Sequence, residues 1–205
     1  MRATISSDEQ SRTFIENARR AQIVRAAIET IGELGYHATS FAQIAKRAGL
    51  SSTGMISYHF RGKDDLMHAV MTEVTGAAAA YMVPRLEAAS DHRAMLHAYI
   101  ESNLDFVRDH PADVKALLAI MRASLTVGGG GEWLGAAIEL IAEHFAAGQR
   151  AGVFGEFDPM VMAITLRQSI DGIHWLLAVD PDTDVAAFAG ELVATFDRAT
   201  GPAQQ

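Results

Sequence analysis

Cysteine is absent from this chain of 205 residues, which excludes disulfides, thiolate metal sites and thiol redox sensing. No apolar run approaches the ~18 residues that a membrane helix needs. The stretch from Met1 to Arg20 is polar and lacks the apolar core of a secretory signal, so a cytoplasmic location without membrane association is expected. Period-two strand patterns are missing as well. So are the signatures of common chemistries: there is no G-x-S-x-G, no P-loop and no G-x-G-x-x-G. The glycine run Gly128–Gly131 has neither a preceding strand nor a following lysine. His92, His97 and Glu101 share one helical stretch, but without an H-E-x-x-H pattern or a dense histidine cluster they read as solvated residues. The expectation is a protein that is not an enzyme and holds no metal and no cofactor.

What is present is a helical, well-cored chain. Apolar residues make up 49% and charged residues 20%, the balance of a globular protein. The net charge of −8 is unevenly spread: residues 1–68 carry an excess of +2 and residues 69–205 an excess of −10. A weakly basic front on an acidic rear permits nucleic-acid binding at one end without demanding it. Ala, Leu, Met and Glu dominate long stretches, and Pro84, Pro111 and Pro181 fall where helices end or kink.

The periodicity predicts an all-α chain of about nine helices. Residues 1–16 form a flexible leader, although Arg12, Arg19 and Arg20 can reach a ligand such as DNA. A first helix spans about Asn17–Leu34, with Ile23, Ala27, Thr30, Ile31 and Leu34 on one face and Gly35 as its stop. Short helices follow over about Phe41–Ala48, capped by Thr39 or Ser40, and from Ser51-Ser52-Thr53 to about Phe60. A longer one opens at Lys63 with Asp64 and Asp65 in its first turn and runs to Pro84. The remaining helices cover about 91–109, 112–127, 132–151, 159–179 and 184–199, and residues 201–205 form a disordered tail.

The informative stretch is Thr39 to Leu66. Two short helices joined by a glycine turn and packed on a longer one describe a helix-turn-helix. Phe41, Ile44 and Ala45 face inward from the first, Leu50 plugs the turn, and Ile56 and Phe60 form the inward stripe of the second. Ser52, Thr53, Gly54, Met55, Ser57, Tyr58 and His59 are left outward or at the helix start. Small hydrogen-bonding groups with no acidic residue suit a DNA major groove and its flanking phosphates. The same pattern also suits two amphipathic helices in an ordinary bundle.

Residues 17–77 resemble the head of the tetracycline-repressor (TetR) family of transcriptional regulators. The matching elements are Ala26-Ala27, Gly35-Tyr36, Ile44-Ala45, Ala48-Gly49-Leu50-Ser51, His59-Phe60 and Lys63-Asp64-Asp65-Leu66. The resemblance implies that residues 17–77 are a DNA-binding domain and that residues 78–200 are a helical ligand-binding and dimerisation domain. It further implies phosphate contacts from Ser40, Gln43, Lys46 and Lys63, with Thr53, Gly54, Met55, Ser57, Tyr58 and His59 on the recognition helix. Two departures stand out. The Gly49–Phe60 stretch is one residue longer than the common form, and the family's frequent tyrosine three before the phenylalanine is Ser57, with Tyr58 one place later.

The rear half resembles the family more loosely, through Gly152–Asp158 and Ser169–Ile173. The resemblance implies a homodimer formed by the last two helices, which here carry Ile164, Gln168, Asp171, Trp175, Val185, Phe188, Leu192, Val193 and Phe196. These residues suit the core of a single chain too. A small-molecule pocket is implied among the middle helices, with Phe106, Leu117, Met121, Leu125, Trp133, Ile138, Phe145, His174 and Trp175 as candidates, each equally at home in ordinary core. The reading is a repressor released from a palindromic operator in double-stranded DNA when an unknown small-molecule effector binds, its two heads ~34–36 Å apart. An activator or a ligand-independent regulator of the same fold is one alternative. A helical interaction protein that binds no DNA is another.

Overall fold

The computed structural model describes the backbone of residues 7–127 and 131–201 and the side chains of residues 14–124 and 135–201. Every regular element among them is an α-helix: α1 (Ser7–Leu34), α2 (Phe41–Arg47), α3 (Gly54–His59), α4 (Lys63–Glu87), α5 (His92–Asp109), α6 (Pro111–Val127), α7 (Gly131–Arg150), α8 (Pro159–Asp171), α9 (Ile173–Val179) and α10 (Val185–Thr200). The tenth helix arises because the stretch expected as one helix over 159–179 is interrupted at Gly172, a residue that holds helical backbone weakly. The other main difference lies at the start. α1 begins at Ser7 rather than near Asn17, within the expected leader. That first turn is built of polar residues with no apolar period to betray a helix. Of the expected tail only Gly201 lies within the described residues.

The described residues fall into two compact units. The first runs to Thr75 and also takes in Ala112–Ala123, and the second holds Gly76–Pro111 and the residues from Ser124 on.

In the first unit, the head, Ile23, Ala27, Thr30 and Ile31 of α1 are each no more than 1% exposed, while Leu34, expected on the same face, is outward. α2 rests on this stripe through Ile44 and Ala45, and Ile56 and Phe60 bring α3 in. Burial of each such large side chain stabilises by roughly 1.5–3 kcal/mol relative to exposure. Gly49 makes the turn between the short helices possible. Its φ of +65° is left-handed backbone, and the chain reverses there with the Leu50 N–H donating to the Ala45 carbonyl at 2.9 Å. The start of α6 completes this unit. The Arg25 guanidinium donates to both oxygens of buried Asp113, at 2.9 and 3.0 Å, and Gly32 lies against Ala112 so closely that a Cβ there would sit 2.9 Å from the Ala112 carbonyl oxygen.

In the second unit, the body, α7 packs on α8 and α10 packs on α5. Asp91, Asp158 and Asp184 cap α5, α8 and α10, accepting from Ala94, Val161 and Ala187 at 2.8–3.0 Å, contacts worth about 1 kcal/mol each. Asp197 of α10 accepts from Arg93 and pairs with His97 of α5, both at 2.8 Å. Burial pushes its carboxyl up, but His97 and Arg93 outweigh that and hold it below the usual carboxylate range. Gly148 of α7 is flush with the Phe154 ring, which would lie 2.3 Å from a Cβ at that position.

Candidate nucleic-acid interface and ligand cavity

The outward surface of the head is α3 with the end of α2. Because Ile56 and Phe60 point into the core, the residues between and before them must point out, and Ser52, Thr53, Gly54, Met55, Ser57 and Tyr58 are all exposed. Tyr58 is 71% exposed, its hydroxyl 3.4 Å from Glu16 of α1 and its ring edge-on to His59. His59 is half-buried. Thr53 occupies the cap position of α3 without a side-chain cap bond.

The remaining sequence-predicted contacts differ in how free their polar groups are. Ser40 and Gln43 are exposed but engaged with one another in a capping box at the start of α2, the Gln43 carbonyl oxygen accepting from the Ser40 N–H at 2.7 Å. Lys46 is exposed at the end of α2, beside an Arg47 that is committed to Glu29 and Glu33 of α1. Lys63 turns inward. Its ammonium donates to the carbonyls of Tyr36 and Thr39 at 2.9 and 3.2 Å and lies 4.1 Å from the Tyr36 ring centroid.

Arg20 has a role that sequence reasoning left out. It donates to the His59 carbonyl at 3.1 Å and covers the Phe60 ring at 4.3 Å, closing the C-terminal end of α3 against α1. Gln22 does the same for α2 by donating to the Ala48 carbonyl at 2.7 Å. These two side chains, two residues apart on α1, orient the helix pair.

The body holds a cavity of about 400 Å³, within the ~300–1,000 Å³ range of ligand pockets. α4 contributes Ala79, Met82 and Leu86. α5 contributes Met95, Leu96 and Tyr99, α7 Ala137, Leu140, Ile141 and His144, and α8 Leu166. None of the seven expected pocket residues whose side chains are described is among them. Phe145 is instead fully buried against Phe154 and Phe157, and Phe106 stacks on His110. Trp175 is 69% exposed, on the outside of α9. Leu117, Met121, Ile138 and His174 are half-buried away from the cavity wall, while the side chains of Leu125 and Trp133 lie outside the described residues.

Two cavity residues carry polar atoms. The His144 Nε2–H donates to the His92 carbonyl at 2.9 Å, and burial pushes its imidazole below the ordinary histidine range. Tyr99 accepts a hydrogen bond from Arg167 at 3.2 Å, and Arg167 also binds Asn103 at 3.1 Å and Asp171 at 2.6 Å.

A third feature is an apolar stripe on α8 and α9. Val161, Ile164, Trp175 and Val179 are each more than 40% exposed, and Gln168 lies exposed on the same line at helical spacing. Phe188 and Leu192 of α10 are half-buried. Asp171 is held by Arg167. Two other residues expected at the interface belong to the body's own core: Val185 is 7% and Phe196 3% exposed. They sit on the face of α10 that turns inward, which the periodicity of an amphipathic helix with two apolar sides does not distinguish.

Residues 23–70, the segment containing α2, α3 and the buried face of α1, match the family model of bacterial regulatory proteins, tetR family. The head of this chain thus matches the head of the TetR family. It is also similar to the HTH-type transcriptional regulator BetI of Escherichia coli K12 (DH10B), with 37% identity over 113 residues, 54% of this chain and 57% of that protein. The chain thus matches little more than half the length of these curated relatives. Among solved structures it resembles AibR in complex with isovaleryl coenzyme A and operator DNA, at TM-score 0.74 and 19% identity over 86% of this chain and 97% of that one. It also resembles the transcriptional regulator FadR from Bacillus subtilis in complex with stearoyl-CoA, at TM-score 0.75 and 21% identity over 85% and 95% of the two chains. Both likenesses establish that the body shares the fold as well as the TetR head.

The features that sequence reasoning did not place, the bracing role of Arg20 and the cavity walls, are of two kinds. Arg20 could be found from helical spacing, since it lies one turn before Val24 on a face that borders the buried stripe. The cavity walls had no such signal. Met82, Leu86 and Leu96 look like any core residue until four helices bring them together.

Proposed function

We propose that the protein is a ligand-responsive, DNA-binding transcriptional regulator, acting as a repressor that a small molecule releases from a palindromic operator. The observation that carries this is α3 of the TetR-type head: Ile56 and Phe60 face inward, and Met55, Ser57 and Tyr58 are exposed on the outside. Lys46, which has no acidic partner among the described residues as Arg47 does, supplies a phosphate contact beside them. Ser52, Thr53 and Gly54 extend the reading surface. Ser40 and Gln43 hold the start of α2 in place at the DNA backbone. Lys63 serves by bracing the turn before α2.

The chain acts as a homodimer through the α8–α9 stripe of Val161, Ile164, Gln168, Trp175 and Val179, with Phe188 and Leu192 of α10 at its edge. An exposed apolar stripe of this length needs a partner. The effector enters the body cavity, as an acyl-CoA ligand accompanies the two neighbouring regulators named above. Binding there favours a conformation whose heads no longer match the operator, which is all that release requires. The protein is cytoplasmic and not an enzyme in this reading. Among the described residues no helix is long and apolar enough to cross a membrane, and no three potential ligands cluster to hold a metal.

The test is a gel shift of the full chain on the DNA upstream of its own coding region across a salt series. Binding that weakens linearly in log–log form is expected, with Lys46→Ala lowering the slope by about one. Tyr58→Ala should weaken binding several-fold while leaving helicity intact. Absence of binding at low salt, together with no enriched site in a random-sequence selection, would reject the proposal.

A further inference from the structure

The chemistry of the cavity narrows what can occupy it, on the reading above that this cavity is the effector site. Of its eleven described lining residues nine are aliphatic or methionine, and none of the eleven is Lys, Arg, Asp or Glu. The two polar ones are committed in ways that fix their roles. His144 spends its Nε2–H on the His92 carbonyl, which leaves the Nδ1 of the neutral ring as an acceptor. The Tyr99 oxygen receives its hydrogen bond from Arg167, which leaves the phenolic O–H to donate. Behind Tyr99, the Arg167 charge is matched by Asp171 at 2.6 Å, so this corner offers polarity without net charge.

A buried ion without a partner is costly. A carboxylate in this cavity finds Arg167 already neutralised, and an organic cation finds neither a free carboxylate nor a cage of aromatic rings. Leu140 lines the cavity and is yet 75% exposed, so the space reaches the surface beside α7. A group held inside can therefore carry a larger polar part outside.

We infer that the cavity takes an uncharged aliphatic group bearing a carbonyl-type hydrogen-bond acceptor, the acyl part of an ester, amide or thioester, with Tyr99 as the donor that recognises it. Two sources share this chemistry: a small neutral acyl compound, or an acyl chain on a bulky polar carrier that stays outside at Leu140.

The experiment is calorimetric titration of the full-length protein with four probes of equal chain length: methyl octanoate, octanoyl-CoA, sodium octanoate and octyltrimethylammonium. The ester and the thioester should each bind about ten-fold or more tighter than the two ions, since a tenfold gap needs only a small part of the cost of burying a charge. Equal binding of ester and thioester identifies the small neutral source, and a tighter thioester identifies the carrier-borne one. Tyr99→Phe should weaken the ester several-fold and leave octane binding unchanged, with the melting temperature measured alongside. Leu96→Trp, which fills the space, separates the two ways of failing. If all four probes bind alike and Leu96→Trp abolishes them, the cavity is a ligand site but the assignment of an uncharged acyl group is wrong. If no probe binds, or Leu96→Trp changes nothing, the cavity itself is not the effector site.

Discussion

Head and body solve opposite problems with the same element. In the head, short helices turn their apolar residues inward and keep a row of small polar and aromatic groups outside. In the body, long helices keep a cavity of about 400 Å³ inside and leave an apolar stripe outside. The head's surface is set by neighbours in sequence: Ile56 and Phe60 are four apart, and whatever lies between them must face out. The body's cavity is set by residues far apart in the chain, from Ala79 to Leu166. A surface made locally is robust to changes elsewhere, whereas a space made by four helices depends on how each of them packs.

This contrast can be broken from either side. Phe60→Ala should have the largest effect, about 3–5 kcal/mol, because it removes a buried ring that Arg20 also covers. Urea titration should show the loss, and DNA binding should disappear while octyl-ester binding by the body persists. Loss of both together would show that head and body fold as one cooperative unit.

Trp175→Asp places a charge in the middle of the α8–α9 stripe. Sedimentation should fall from twice the 22.0 kDa chain mass to one chain, with helicity unchanged. An unaltered dimer would move the interface elsewhere.

Gly148→Ala attacks the body through packing. Alanine favours a helix over glycine by about 1 kcal/mol, but its Cβ would meet the Phe154 ring at 2.3 Å, and overpacking of that kind costs about 1–3 kcal/mol. The net result should be a lower melting temperature and weaker ligand binding, with the isolated head surface unaffected. A raised melting temperature would mean that the Phe154 ring moves aside freely.

The smallest effect is expected from pH. His144 titrates below its ordinary value of 6.5 because burial disfavours the charged ring, with His92 as the titratable neighbour facing it. Above that value both folded and unfolded chains carry it neutral and nothing is lost. As the pH falls beneath it the unfolded chain takes up the proton first, so the body should lose stability on acidification through this window. His144→Gln should flatten that part of a melting-temperature profile, and an unchanged profile would assign the dependence to other groups.

The same contrast explains what could be read in advance. Gly35 and Gly49 as stops, Ser40 as a cap, and the inward pair Ile56 and Phe60 all act within a turn or two of their position in the chain. They were legible for that reason. Lys63 was not, since its nearest phosphate substitute proved to be the two carbonyls at Tyr36 and Thr39, some 24–27 residues away. Large aromatics attracted attention as pocket walls, yet Phe145 is consumed by Phe154 and Phe157, and smaller residues that leave room, such as Ala79 and Ala137, form the cavity. Space is made by what side chains lack, and periodicity records only what they have. The inward turn of Val185 and Phe196 likewise depends on which helix lies alongside.

The part of α6 that joins the first unit has a practical side. Arg25 and Gly32 of α1 have their partners at Asp113 and Ala112, nearly forty residues beyond the last residue of the head proper at Thr75. A chimera that exchanges heads between relatives at a single crossover would part these pairs, leaving Asp113 buried without its guanidinium. Exchange of the head in this protein calls for two crossovers, or for grafting the outward residues of α3 alone.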